Sequence, residues 1–354
     1  MKTLPNLTSL RFFLALLVVI FHLPEFCSKH GIPFYNSLPI FHKGEEAVYM
    51  FFSLSGFLII RQLYLEKIYT KTVSLKKFFF RRILRIFPLY FLILFFGLLY
   101  YNFILPKFGF PFTSNYKMYE GVLLSLFFLP NVFAILYSPG SIIEVLWSIG
   151  VEEQFYIFIA PVILFLPVKK IVLFLLLFTI IFFCIFFLEE TSLFRKFGMY
   201  FFYFTSSGLF SILILKYRFS TINKIIIYLF LLNFIIYFFS DFFINLFSTQ
   251  GYHFFSMIFF SMVICLMSTF SIKYFDNAQV NYLGQISFGI YMYHSIVIQF
   301  IGLVYVKILN QYHINQLIFI LFYNFLVISI TVAISHFSYQ YYELYFIKKK
   351  KHLY

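Results

Sequence analysis

The sequence predicts an all-α, polytopic integral membrane protein with about ten transmembrane helices and both termini cytoplasmic. Three observations predict it. Of 354 residues, 62% are apolar and 11% are charged, where a soluble domain carries about 25% charged residues. Mean hydropathy is +0.91. Apolar runs of about 20 residues, the length that crosses a bilayer, recur between short polar breaks. This composition excludes a soluble enzyme, a disordered chain and a disulfide scaffold.

The runs place spans at residues 9–27, 46–65, 86–105, 142–167, 171–188, 198–216, 225–243, 252–271, 282–304 and 316–340. The first follows MKTLPNLTSLR and ends without a small-residue cleavage pattern, so it reads as a retained span. Positive charge tests the alternation. With the N-terminus inside, 20 Lys and Arg fall on the cytoplasmic side and seven outside, the asymmetry that orients membrane proteins. The net charge of +14 therefore needs no nucleic-acid partner. Residues 121–138 are apolar enough to cross, but counting them would invert everything downstream. Pro130 and Asn131 interrupt them, which predicts a re-entrant or interfacial segment. The organisation expected is one transmembrane domain, residues 1–345, with a basic cytoplasmic tail, residues 346–354. Cys27, Cys184 and Cys265 are too scattered for a disulfide framework or a zinc site and read as packing residues. The spacing of His, Cys, Asp and Glu shows no metal-ligand pattern.

Ionisable side chains within spans cost roughly 2.5–3.5 kcal/mol each on insertion scales, so each is a candidate for function. Arg11 and His22 in LTSLRFFLALLVVIFH are close to three helical turns apart and share a face, about 16 Å along the axis. They read as a snorkelling cation plus a satisfied core histidine, or as a binding group plus a proton acceptor or nucleophile. In VYMFFSLSGFLI, Ser53, Ser55 and Gly56 make a small polar notch, for helix packing or for a ligand. The basic loop LKKFFFRRILRIFPLY puts Arg82 and Arg85 on one face, with Pro88 in the first turn of the next span. They are bilayer anchors, or guanidinium forks for phosphates. In LWSIGVEEQFYIF, Ser148, Glu152 and Tyr156 recur every four residues beside Trp147, the chain's single Trp. A carboxylate at that depth could orient and charge-stabilise an imidazole. In LGQISFGIYMYH, Ser287, Tyr291 and His294 form a polar stripe, for interhelical hydrogen bonds or for substrate.

Taken in order, these five motifs resemble the membrane-bound acyltransferase family 3, whose members O-acylate cell-surface polysaccharides and similar acceptors. The likeness runs from residue 7 to about residue 345. The family's Arg-plus-His pattern falls on Arg11 and His22, its basic pair on Arg82 and Arg85, and its Trp-Ser…Glu motif on Trp147, Ser148 and Glu152. The chain departs from the pattern at Tyr49 and at Thr8-Ser9, where the family often carries acidic residues. The resemblance implies acyl-CoA, acetyl-CoA by default, as co-substrate, with no permanently bound cofactor and no metal. It implies a polysaccharide or lipid-linked glycan as acceptor, and residence in the inner or plasma membrane. His22 and Glu152 would be catalytic. Arg11, Arg82, Arg85, Ser55, Trp147, Ser148, Tyr156, Tyr291 and His294 would contact the substrates. The rival reading is a secondary transporter or glycan exporter with His22 and Glu152 as a proton relay. Its two halves should resemble each other, and no such repeat appears.

Overall fold

The computed structural model describes residues 4–110, 112–188, 192–216, 224–272, 275–308, 311 and 315–349. Among the described residues all regular structure is helical, with no strand. Ten principal helices follow in order: α1 (Leu7–Lys29), α2 (Gly44–Thr70), α3 (Leu75–Leu99), α4 (Trp147–Phe165), α5 (Val168–Leu188), α6 (Phe201–Lys216), α7 (Lys224–Phe239), α8 (Thr249–Met267), α9 (Ser287–Lys307) and α10 (Gln316–Ser338). Helical turns extend α3 to Lys107 and α10 to Lys348, and a turn at Ser141–Glu144 precedes α4. Eight of these segments are long and apolar enough to cross a membrane, and α6 and α7 are shorter apolar helices. The chain is a multi-pass membrane protein. Each helix falls on an expected span because a bilayer leaves a backbone no other way to satisfy its polar groups.

Two segments differ in detail. The basic loop is not a loop. α3 begins at Leu75, where the Ser74 hydroxyl accepts from the Lys77 amide, and Lys and Arg are good helix formers. Pro88 consequently lies inside the helix rather than in its first turn. Residues 121–138 form two short helices, Met118–Leu126 and Pro130–Tyr137, of nine and eight residues. At 1.5 Å per residue neither is long enough to span. The break between them carries Phe128 in the left-handed region, at φ 57°. Of the expected basic tail, residues 350–354 lie outside the described residues.

The chain divides into two compact units. The first comprises Met1–Phe21, Asn36–Val73 and Ile157–Gln285. Here α6 packs against α2, α5 and α8. Small residues make the α2–α6 approach possible: a Cβ on Gly56 would lie 2.1 Å from the Phe204 carbonyl oxygen. The polar notch at Gly56 is therefore a helix contact. Charged groups in this unit close up on protein partners. The buried Lys67 ammonium donates to the carbonyls of Ile163 and Leu164, at 2.6 and 2.7 Å, and to that of Leu166. These are end-of-helix carbonyls of α4, which have no intrahelical partner. Asn6 closes the end of α8, donating to the carbonyls of Met267 and Phe270 and accepting from the Ile272 amide. Buried Lys43 pairs with Glu46 and Asp241. Of the cysteines, Cys27 and Cys265 are buried and Cys184 is exposed.

The second unit comprises His22–Tyr35, Ser74–Tyr156 and Ile286–Tyr354. α9 packs against α10 and α3. Tyr101 joins the turn at Ser141 to α9: Gln299 donates to both hydroxyls, at 2.6 and 2.7 Å. One face of α4 receives the two short helices. A Cβ on Gly150 would lie 2.5 Å from the Pro130 ring. One turn on, the Gln154 amide donates to Phe128 O at 2.7 Å and Asn131 Oδ1 at 2.8 Å.

Candidate functional site

Of the residues singled out from sequence, Arg11 and Ser55 belong to the first unit. His22, Arg82, Arg85, Trp147, Ser148, Glu152, Tyr156, Tyr291 and His294 belong to the second. Within it, the face of α4 opposite Gly150 and Gln154 carries Ser148, Glu152 and Tyr156, because a step of two residues turns a helix by about 200°.

That face connects to α3 at one end and α9 at the other. At the α3 end, the Arg82 guanidinium lies 5.7 Å from the Tyr156 ring centroid and 5.9 Å from that of Phe78. Such positions are favourable for a cation that must stay half-buried. The Tyr156 hydroxyl donates to Glu152 Oε2 at 2.8 Å. Arg85 stands within electrostatic reach of Glu343, whose Oε1 accepts from the Ser338 hydroxyl. At the α9 end, the Tyr291 hydroxyl donates to Val145 O at 3.0 Å and lies 2.8 Å from Ser148 Oγ. With its proton so placed, the Tyr291 oxygen accepts from Ser148.

One turn beyond Tyr291 stands His294, wholly buried, with its ring centroid 5.2 Å from that of His22 and the planes inclined at 25°. His22 is held from its own helix. Its Nδ1 lies 2.9 Å from Glu25 Oε2, and Glu25 Oε1 lies 2.8 Å from the Lys29 ammonium. A carboxylate oxygen can only accept here, so the ring proton it receives is on Nδ1. A lone pair on an oriented imidazole is what a general base or a nitrogen nucleophile requires. The carboxylate that holds Nδ1 is thus Glu25, whereas Glu152 takes the phenol of Tyr156.

Sequence reasoning passed over Glu25, although His-x-x-Glu places both side chains on one helical face. It also passed over Glu144, within electrostatic reach of Lys29, Glu25 and His22. Glu153 was passed over as well; it is 3% exposed, with Oε1 unbonded and Arg82 in electrostatic reach. Among the described residues no group of three His, Cys, Asp or Glu side chains could hold a metal ion.

A helical bundle with eight segments long and apolar enough to cross a membrane defines a multi-pass membrane protein, and one unit of it holds an oriented imidazole and a half-buried arginine pair. Its lineage follows from the sequence as a whole. The chain belongs to the acyltransferase 3 family, whose "Acyltransferase domain" model matches residues 4–336. Over 158 residues it is 33% identical to a protein of Acidianus two-tailed virus named "Putative acetyltransferase ORF330". That match covers 44% of this chain and 39% of the viral protein. No solved structure matches.

Proposed function

We propose that the protein is an O-acyltransferase that moves an acyl group, acetyl in the simplest case, from cytoplasmic acyl-CoA to a hydroxyl of a cell-surface polysaccharide or lipid-linked glycan. Acyl-CoA is a co-substrate, with no cofactor held between turnovers, and the site of action is the inner or plasma membrane. The observation that carries this reading is the Glu25-held imidazole of His22, sharing one unit with Arg82 and Arg85 in a chain of this family.

The chemistry follows from the groups present. Arg82 and Arg85 grip the CoA phosphates through charge-assisted hydrogen bonds, which leaves the thioester to reach into the helices. His22 Nε2 then acts in one of two ways. It removes the proton of the acceptor hydroxyl as that oxygen attacks the thioester carbon and the C–S bond breaks. Alternatively, Nε2 attacks first, and CoA leaves as the thiolate from a transient acyl-imidazole. In both routes the His22 ring gains positive charge, and Glu25 stabilises it as it forms.

The test is direct. Purified protein incubated with radiolabelled acetyl-CoA should release free CoA and label a glycan of the membrane. His22→Ala should remove both while the protein still inserts and elutes as a single species. Wild-type rates from His22→Ala would take His22 out of the reaction.

A further inference from the structure

We infer that His294 binds the hydroxyl nucleophile through Nε2 and takes its proton, leaving His22 to carry the acyl group. This rests on the acyltransferase reading above and divides the labour within it. One nitrogen of His294 is already spent. Nδ1 lies 2.5 Å from the carbonyl oxygen of Tyr291, one turn back on α9. A carbonyl oxygen only accepts, so Nδ1 bears the proton and Nε2 a bare lone pair. That Nε2 is buried and has no hydrogen-bond partner, on a residue with 0% exposure.

The neighbouring hydroxyl does not supply a donor. Tyr291 gives its proton to Val145 O, and its oxygen is in contact with Ser148. A buried acceptor left unfilled costs free energy, and such atoms in folded proteins call for a donor that arrives later or a role in the chemistry. The unfilled nitrogen also sits on the ring stacked against His22, with centroids 5.2 Å apart, within one small molecule's reach of an acyl group carried there. The donor this chemistry selects is an O–H: a sugar hydroxyl, or water when no sugar is present.

The step balances. In the first half-reaction His22 Nε2 forms a bond to the acyl carbon and CoA departs as thiolate. In the second, the hydroxyl oxygen bonds to that carbon, the C–Nε2 bond breaks, and the electron pair returns to His22. The hydroxyl proton passes to His294 Nε2. His294 then releases it through solvent to the thiolate, which restores both rings and yields ester and CoA.

The experiment uses the full chain in detergent, with radiolabelled acetyl-CoA as donor and methyl α-D-glucopyranoside or water as the hydroxyl probe. Wild type should release one equivalent of CoA quickly and then turn over steadily. His294→Phe keeps a ring against His22 but lacks Nε2. It should release the first equivalent at the wild-type rate, hold the label on the peptide containing His22, and turn over about a hundredfold more slowly. His294→Gln, which accepts a hydrogen bond but cannot take a proton, should fall between them.

Four results would overturn the assignment. His294→Phe could turn over like wild type. It could lose the first equivalent together with turnover, which would make His294 a prop for the His22 ring. Wild type could turn over with no rapid first equivalent, which would remove the need for a second base. Neither variant could elute as a single species, which would make His294 a packing residue. Wild type releasing no CoA under any condition is a different failure, that of the acyltransferase reading itself.

Discussion

Lys67 and His294 are both buried polar side chains in helices of a membrane protein, and their surroundings are opposite. In the first unit the Lys67 ammonium faces three main-chain carbonyls at the end of α4. In the second unit His294 spends one nitrogen on its own helix and leaves the other unfilled. Removal from water costs both groups. Only Lys67 recovers that cost within the protein. A buried polar group that is fully partnered stabilises the fold, whereas one left open costs stability and calls for a later donor or a role in the chemistry. The same contrast runs through the neighbours. Asn6 and Lys43 are closed by protein partners, whereas Glu153 and Gln154 each keep a buried oxygen without one.

The largest expected effect lies at the open end of that contrast. His22→Ala should lower the rate of CoA release by about 10²–10⁴-fold, the span that general acid–base groups contribute. Its thermal midpoint in detergent should stay near that of wild type. A variant that lost its fold along with its rate would move His22 to the structural side.

The arginine pair comes next. A hydrogen bond to a charged group contributes about 1.5–3 kcal/mol, so Arg82→Ala with Arg85→Ala should raise KM for acetyl-CoA by about a hundredfold or more. kcat should change little. The half-buried positions of both arginines beside Tyr156 and Glu343 supply the alternative outcome. If KM holds and the thermal midpoint drops, the pair serves the fold.

Glu25→Ala should cost less. A fully buried orienting carboxylate in a Ser-His-Asp triad is worth about 10⁴ in kcat. The Glu25 side chain is 40% exposed, so water can replace part of its hold on Nδ1, and we expect about a tenfold fall in kcat with KM for acetyl-CoA unchanged. A fall approaching 10⁴ would mean that the carboxylate is shielded from water during turnover.

How much of this was legible beforehand divides along physical lines. The ten helices could be read because bilayer thickness imposes a length and an apolar composition on each. The stripe of Ser148, Glu152 and Tyr156 could be read because helical period puts every fourth residue on one face. Three things resisted. Glu25 was passed over near the outer end of the 9–27 span, although α1 continues through Pro24 to Lys29 and keeps Glu25 one turn from His22. The helical start of α3 was lost because a dense basic run looks like a loop until the Ser74 cap and the rings of Phe78 and Tyr156 are seen around it. The division into two units, which separates Arg11 from His22 on one continuous helix, depends on which helices pair. Apolar spans of similar composition carry little information about their partners.

The smallest effect on chemistry should come from Lys67, and that is its use. Lys67→Met keeps the length and apolar stem of the side chain but removes every donor. The carbonyls of Ile163, Leu164 and Leu166 would then face a buried thioether, with each lost partner costing about 1–3 kcal/mol. Relaxation of the last turn of α4 and entry of water would return part of that cost. The expected outcome is a lower thermal midpoint in detergent and more aggregate on size exclusion, while the monodisperse fraction keeps wild-type kcat and KM. His294→Phe is expected to do the reverse, keeping the midpoint and losing turnover. If Lys67→Met instead reduced kcat in the monodisperse fraction, the closed ammonium would have a share in the chemistry. Satisfied hydrogen bonding would then no longer distinguish the structural polar groups of this protein from the functional ones.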